Sequence, residues 1–193
     1  MRKIFNLFIV MLALCGISCE QQEEKHDEEN PINKNLTRFE LGYYENWGDY
    51  YGLGATNWLI DFYTTTSNDY FVLELQGAPS ESAPAVGEYQ LSTSLEVGTA
   101  VAGLAQVDGD AVTLTGTYWC LFDNKWAGLE LYAPCVSGTV KVGKSDDLYT
   151  IDIDAVDQHG CAIKLSYTGT LTEFDAKTRS NLRRGAAIPV GIK

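Results

Sequence analysis

From Thr37 to Phe174, apolar and polar residues alternate with a period of two rather than recurring every 3.6 residues. In the run 112–122, Val112, Leu114, Tyr118, Cys120 and Phe122 share one face. Thr113, Thr115 and Thr117, followed by Trp119 and Leu121, share the other. Tyr149, Ile151, Ile153 and Ala155 alternate with Thr150, Asp152 and Asp154 in the same way. So do Cys161, Ile163, Leu165 and Tyr167 with Ala162, Lys164, Ser166 and Thr168. Such runs predict strands with one face in a core and one in water. Earlier strands are expected near 38–44, 57–65, 70–76, 87–93 and 99–106. Turn chemistry separates the runs at Asp108-Gly109-Asp110, Asp123-Asn124-Lys125, 144–147 and 157–160. The pattern predicts about ten strands joined by short links, hence an antiparallel set, since parallel pairing of consecutive strands calls for long crossovers.

Glycine recurs inside or beside these strands at Gly87, Gly116, Gly138 and Gly169, with spacings too irregular for a solenoid. Glycine in a strand marks a bulge or bend and lets a sheet curl. A curled sheet of this size either folds into two packed layers or closes into a barrel. The longer 77–86 stretch permits a crossing between layers. The expectation is an all-β, antiparallel two-sheet β-sandwich, with a lipocalin-like closed barrel as the alternative.

The first residues read as an address. Arg2 and Lys3 precede an apolar run from Ile4 to Leu14, then Gly16-Ile17-Ser18-Cys19. A basic start, a short apolar run and small residues describe a secretory signal. The run is shorter than the roughly 20 residues that span a bilayer. Gly16-Ile17-Ser18-Cys19 resembles the lipobox of bacterial lipoproteins, in which a small residue precedes the cysteine that is lipidated. Gly16 departs from the branched aliphatic usual there. Cys15 is the rival, but Leu14 before it is large, so Cys19 is the expected lipidation site. Glu20 to Glu29 is dense in acidic side chains and poor in apolar ones, a composition that cannot repay its ordering entropy. An acidic run behind the lipid cysteine resembles the surface-export signal of Bacteroidetes lipoproteins, and implies the outer face of the outer membrane, with the periplasmic face as alternative. The expected organisation is a signal peptide over 1–18, a lipidated cysteine and disordered tether over 19–35, a β domain over 36–174, and a tail or edge strand over 175–193. Within the domain, Gly48-Asp-Tyr-Tyr51, Asn57-Trp58, Gly87-Glu-Tyr89, Ser137-Gly-Thr-Val140, Tyr149-Thr-Ile151 and Tyr167-Thr-Gly169 resemble uncharacterised β domains of secreted Bacteroidetes lipoproteins. That resemblance implies fold and location and no activity.

Charge narrows the partners. The chain carries a formal net charge of −12. Losing residues 1–18 removes Arg2 and Lys3 from the 14 basic side chains and leaves 12 against 26 acidic ones, a net −14. This argues against nucleic acid, which needs a basic footprint, and against electrostatic attachment to anionic lipid. The expected membrane contact is the lipid anchor alone. With two histidines, His26 in the tether and His159 in the domain, a multi-histidine metal site is not expected, and neither is a cofactor. Asp152, Asp154, Asp157 and Gly160 lack the spacing and closing glutamate of a calcium loop, and read as a solvated strand face entering a turn. Folding the hairpins at their turn signals puts Cys120 near Leu129 and Cys161 near Val156, so neither meets a cysteine. Cys135 follows Pro134, which leaves its register open.

The densest aromatic stretch is Tyr43-Tyr44-Glu45-Asn46-Trp47-Gly48-Asp49-Tyr50-Tyr51. Five aromatics in nine residues exceed what one alternating face can bury. Aromatic rings beside polar groups stack on flat ligand faces, sugars included. Tyr43, Tyr44, Trp47, Tyr50 and Tyr51 are therefore the candidate binding residues; as a purely structural set they would plug the end of the domain. The function expected is a non-enzymatic envelope or surface binding module for carbohydrate or protein. A structural or assembly protein comes second. A hydrolase comes third, and would require a cleft joining carboxylates such as Asp61, Glu74 or Glu130.

Overall fold

The computed structural model describes residues 34–36, 39–79, 81–174 and 188–189. The chain divides into two units, Met1–Pro31 and Ile32–Lys193. No residue of the first is among those described, so the tether's first residues and both Cys15 and Cys19 lie outside them. Within the second unit every described regular element is a strand: β1 Lys34–Leu36, β2 Leu41–Asn46, β3 Thr56–Tyr63, β4 Asp69–Gly77, β5 Gly87–Ser92, β6 Thr99–Val101, β7 Leu104–Asp108, β8 Ala111–Thr115, β9 Tyr118–Phe122, β10 Leu129–Ser145, β11 Leu148–Asp157, β12 Ala162–Gly169, β13 Leu171–Glu173 and β14 Ile188–Pro189.

Pairing runs β1-β12-β11-β10-β5-β6-β4-β3-β2-β13, and β9 bridges β10 to β4. That bridge closes a ring of β10, β5, β6, β4 and β9. The 17-residue β10 makes the closure possible, because its two halves serve different neighbours. Leu129–Pro134 pairs with β9, while Thr139–Val142 lies between β5 and β11. A register shift between Cys135 and Ser137 bends the strand where it changes partner. Gly138 follows at φ 132°, with the backbone of Asp154 and Ala155 where a Cβ would sit. β7, β8 and β14 form a separate three-stranded sheet.

Three pairs are parallel, against the antiparallel expectation: β1 with β12, β13 with β2, and β5 with β6. The first two join segments far apart in sequence, so no crossover limits them. β5 and β6 are consecutive, yet Thr99 sits opposite Gln90 rather than opposite the start of β5. The 93–98 link need only step back two residues, about 7 Å. It does so through Leu95 at φ 58° and Gly98 at φ 85°. The tether expectation also ran too far, since Lys34 and Asn35 already belong to β1 and Leu36 is buried. Burying a leucine stabilises by roughly 2 kcal/mol and, with the β1–β12 pairing, helps to hold this strand in place.

Two buried clusters explain why the strands near the chain's middle are buried on both sides. Trp58, Ile60 and Phe62 of β3 and Phe71, Leu73 and Leu75 of β4 point into the larger core, with Trp119, Val140, Ile151 and Ile163. Leu59, Tyr70 and Val72 point the other way and pack with Val112, Leu114, Cys120 and Leu129. The β7–β8 hairpin thus covers the second face of β3 and β4, turning at Gly109 with φ 57° as the Asp-Gly-Asp signal predicts. The run expected as one strand over 99–106 is cut at Ala102-Gly103, and the run 112–122 is cut at Gly116-Thr117. At both cuts the chain passes between the two sheets. Even so, Val112, Leu114 and Cys120 share one cluster, as their alternation predicts. The β9–β10 hairpin closes differently from the layout on paper. Cys120 faces Tyr132, and Phe122 faces Leu129. The reason is a longer loop, 123–128, in which the Asp123 carboxylate accepts from the backbone N–H groups of Lys125 and Ala127 and Trp126 adopts φ 55°.

Candidate functional site

The second face of β2–β4 gathers the polar chemistry of the domain. In β2 it presents Tyr43 and Glu45, continued by Trp47. β3 adds Asn57, Leu59, Asp61 and Tyr63, and β4 adds Tyr70, Val72, Glu74 and Gln76. The register places Glu45, Leu59 and Glu74 side by side across the three strands. Asp61 sits one row away, between Tyr43 and Val72. Asp61 is thus the diagonal neighbour of both glutamates, at roughly 7–8 Å between backbones. All three carboxylates are buried: Glu45 is 2% exposed, Asp61 1% and Glu74 3%.

Burial of a carboxylate is costly unless hydrogen bonds replace water. Each of these receives one from an aromatic side chain. The Tyr70 hydroxyl donates to Asp61 Oδ1 at 2.6 Å. Trp47 Nε1 donates to Glu45 Oε2 at 3.0 Å. The Tyr51 hydroxyl donates to Glu74 Oε1 at 2.7 Å, and Asn57 Nδ2 donates to the same oxygen at 2.8 Å. A fourth carboxylate, Asp69 at the start of β4, receives Trp119 Nε1 at 2.9 Å and the Ser67 hydroxyl at 2.5 Å.

The rings form two contiguous series. One runs Phe174–Tyr43–Tyr63–Tyr70–Phe122–Trp126, with centroid separations of 6.5, 5.8, 4.8, 6.1 and 5.1 Å. The other runs Trp47–Tyr50–Tyr51, at 5.8 and 5.0 Å, edge to face. Its outer members face water: Tyr50 is 49% exposed and Tyr51 36%.

The five candidate residues therefore divide. Tyr43, Trp47, Tyr50 and Tyr51 belong to this face and its rim. Tyr44 does not, because adjacent strand residues point oppositely; it is buried in the larger core, 5.8 Å from the Trp58 ring. There burial, with Glu173 adding to it, pushes its hydroxyl pKa up. Asp61 and Glu74 come together as a pair, whereas Glu130 is exposed on β10 and takes no part. Gln76, Tyr63 and Tyr70 are not among the residues the sequence points to, and Asn57 enters there only through the Asn57-Trp58 resemblance to a fold. The available signal was a single acidic residue inside each of two apolar runs, Leu59-Ile60-Asp61-Phe62 and Val72-Leu73-Glu74-Leu75.

The remaining constellations are structural. Asp157 Oδ1 accepts from the backbone N–H groups of His159 and Cys161 and so ties the 157–161 turn. Asp154 pairs with Lys164 at 3.1 Å, and Asp152 accepts from the Ser166 hydroxyl. Among the described residues no three of His, Cys, Asp and Glu gather in a way that could hold a metal ion. Cys135 is buried opposite Asp157, and burial first, then that carboxylate, pushes its thiol up to about 12. In the tail, Ile188–Pro189 pairs with β8 as an edge strand, a position that suits proline's missing N–H. Arg179, Arg183, Arg184 and Lys193 lie outside the described residues.

No protein-family model, curated protein or solved structure matches this chain.

Proposed function

We propose that the chain is a lipid-anchored envelope protein, attached through Cys19 and facing the cell exterior, whose β domain is a non-enzymatic binding module for carbohydrate. The observation that carries this reading is the partly exposed Trp47–Tyr50–Tyr51 series standing directly beside the carboxylates of Glu45 and Glu74. A sugar ring offers an apolar face to a stack and hydroxyls to carboxylates, and this patch supplies both partners. Rings that only plugged the domain would not stand as exposed as Tyr50 and Tyr51. The lipobox-like Gly16–Cys19 and the acidic residues behind it support the address. The closed ring of strands supports a lipocalin-like barrel over a flat sandwich, with its aromatic face turned to the ligand. The test is a glycan-array and pull-down screen with the full mature chain. Glycan binding that disappears in a Trp47→Ala, Tyr50→Ala double variant supports the proposal. An array with no glycan signal, alongside capture of a defined protein, replaces it with the protein-ligand reading.

One observation favours a second reading, a hydrolase. Asp61 and Glu74 are diagonal neighbours on one face, and a pair of facing carboxylates is what glycoside hydrolases use. Asp61 is held by Tyr70 and Glu74 by Tyr51 and Asn57, whereas the binding reading has the exposed rings of Tyr50 and Tyr51 behind it, which is why binding is placed first. Release of reducing sugar from an array-positive glycan, lost in Asp61→Asn and in Glu74→Gln, would reverse that order.

A further inference from the structure

We infer that Tyr51 is a built-in stand-in for a ligand hydroxyl, held by the Gly48–Gly54 loop over a subsite made of Glu74, Asn57 and Gln76, and that the subsite takes adjacent hydroxyls of a neutral sugar. The inference rests on the carbohydrate reading of this face and adds its gate and its ligand class.

Glu74 Oε1 receives two donors, the Tyr51 hydroxyl and Asn57 Nδ2. Asn57 is fixed by β3. Tyr51 comes from a loop. That loop is Gly48-Asp49-Tyr50-Tyr51-Gly52-Leu53-Gly54, with glycines at φ 60°, 70° and 82°, none of which has an atom within 4 Å of the position a Cβ would take. Its backbone bonds run within itself or to its own base: Tyr50 to Gly48, Gly52 to Asp49, and Asn57 to Gly48. Leu53 N–H is held by the Asp49 carboxylate, also inside the loop. With glycine hinges at both ends and these backbone bonds confined to the loop and its base, the segment can swing as a unit once the Tyr51–Glu74 hydrogen bond is released. When it swings out, one acceptor position on Glu74 is vacated.

Gln76 supplies the independent observation. It lies opposite Asn57 on the same face, is 1% exposed, and its Nε2 has no hydrogen-bond partner among the described residues. A buried amide donor left in that state costs free energy that a ligand acceptor would recover. Glu74 wants a donor and Gln76 wants an acceptor, one register step apart. A neutral vicinal diol answers both, one hydroxyl donating to Glu74 and its neighbour accepting from Gln76. A cation would satisfy Glu74 and leave Gln76 unanswered. An anion would be repelled by Glu45, Asp61 and Glu74.

The experiment uses the full mature chain, with maltose, cellobiose and lactose as probes and tryptophan fluorescence titration as readout. Tyr51→Phe removes the competing hydroxyl and keeps the ring, so the sugar that binds wild type should bind about tenfold tighter, the worth of one hydrogen bond to a charged group. Gln76→Leu should weaken the same sugar about fivefold while the melting temperature holds or rises, because it deletes an unanswered donor. A second readout needs no ligand: amide exchange at Gly52 and Leu53 should quicken about tenfold in Tyr51→Phe. Unchanged exchange overturns the latch, whatever the sugars do. Sugar binding that is equal or weaker in Tyr51→Phe overturns the stand-in while leaving the face as a sugar site. Absence of binding by wild type and Tyr51→Phe alike overturns this inference and the carbohydrate reading together.

Discussion

Gly103 stands where the chain leaves the closed ring for the β7–β8 hairpin, and replacing it by alanine should cost more than the same change at a turn glycine with open space around it. A Cβ there would lie 2.1 Å from the Thr117 carbonyl oxygen, 2.8 Å from the Cys135 nitrogen and 2.9 Å from the Pro134 Cα. All three are backbone atoms, so no side chain can rotate away. The same spot holds two hydrogen bonds, Gly103 N–H to the Cys135 carbonyl at 2.7 Å and Cys135 N–H to the Thr117 carbonyl at 2.9 Å. Overpacking costs about 1–3 kcal/mol, and each weakened hydrogen bond adds about 0.5–1.5. The expected loss is about 2–6 kcal/mol, a large share of the 5–15 typical of a domain, or roughly 4–24 °C in melting temperature. Gly109→Ala is the control. It has open space around it and φ 57°, so only the left-handed backbone is penalised, at about 1–2 kcal/mol. Urea denaturation followed by tryptophan fluorescence measures both. A Gly103→Ala loss no larger than that of Gly109→Ala would refute the close approach of β9, β10 and the 102–103 link.

Two further outcomes are expected. Because the Cys135 thiol is raised from 9.0 to about 12, folded chains stay protonated where unfolded chains ionise. Stability should therefore be level below about pH 9 and fall above it, by about 1.4 kcal/mol per pH unit from this group, and burial pushes Tyr89 and Tyr167 in the same direction. Cys135→Ala should flatten the decline in urea midpoint between pH 9 and 10.5, and an equally steep decline in that variant would show that another group sets it. Cys19→Ala should move the protein from the membrane to the soluble fraction, whereas retention of the lipid label there, with its loss in Cys15→Ala, would assign the anchor to Cys15.

Strand content was legible because alternation survives wherever one face meets water, as in β11 and β12. It was blurred in β3 and β4, whose positions are buried almost without interruption because the β7–β8 hairpin covers the second side. No local pattern announces such a cover. Gly103 and Gly116 looked like ordinary strand glycines, yet they mark where the chain changes sheets, and only the long-range approach of Thr117, Ala102 and Cys135 makes that visible. The aromatic stretch 43–51 was conspicuous in sequence, and alternation alone separates Tyr43 from Tyr44. Asp61 and Glu74 were visible as isolated acids, but their meeting depends on the β3–β4 register, in which residue 59 faces 74. Gln76 carried no signal, since an unpaired amide is a property of its surroundings.

The central claim is that the exposed rings beside Glu45 and Glu74 form a ligand surface rather than a plug. The most direct measurement is calorimetric titration of an array-identified glycan into the wild-type chain and the Trp47→Ala, Tyr50→Ala variant, with thermal melts of both. The account predicts a binding isotherm for wild type and none for the variant, while the variant still unfolds cooperatively, at a lower melting temperature because Glu45 loses the Trp47 donor. Undiminished binding by a variant that folds, or loss of cooperative unfolding in that variant, would contradict it.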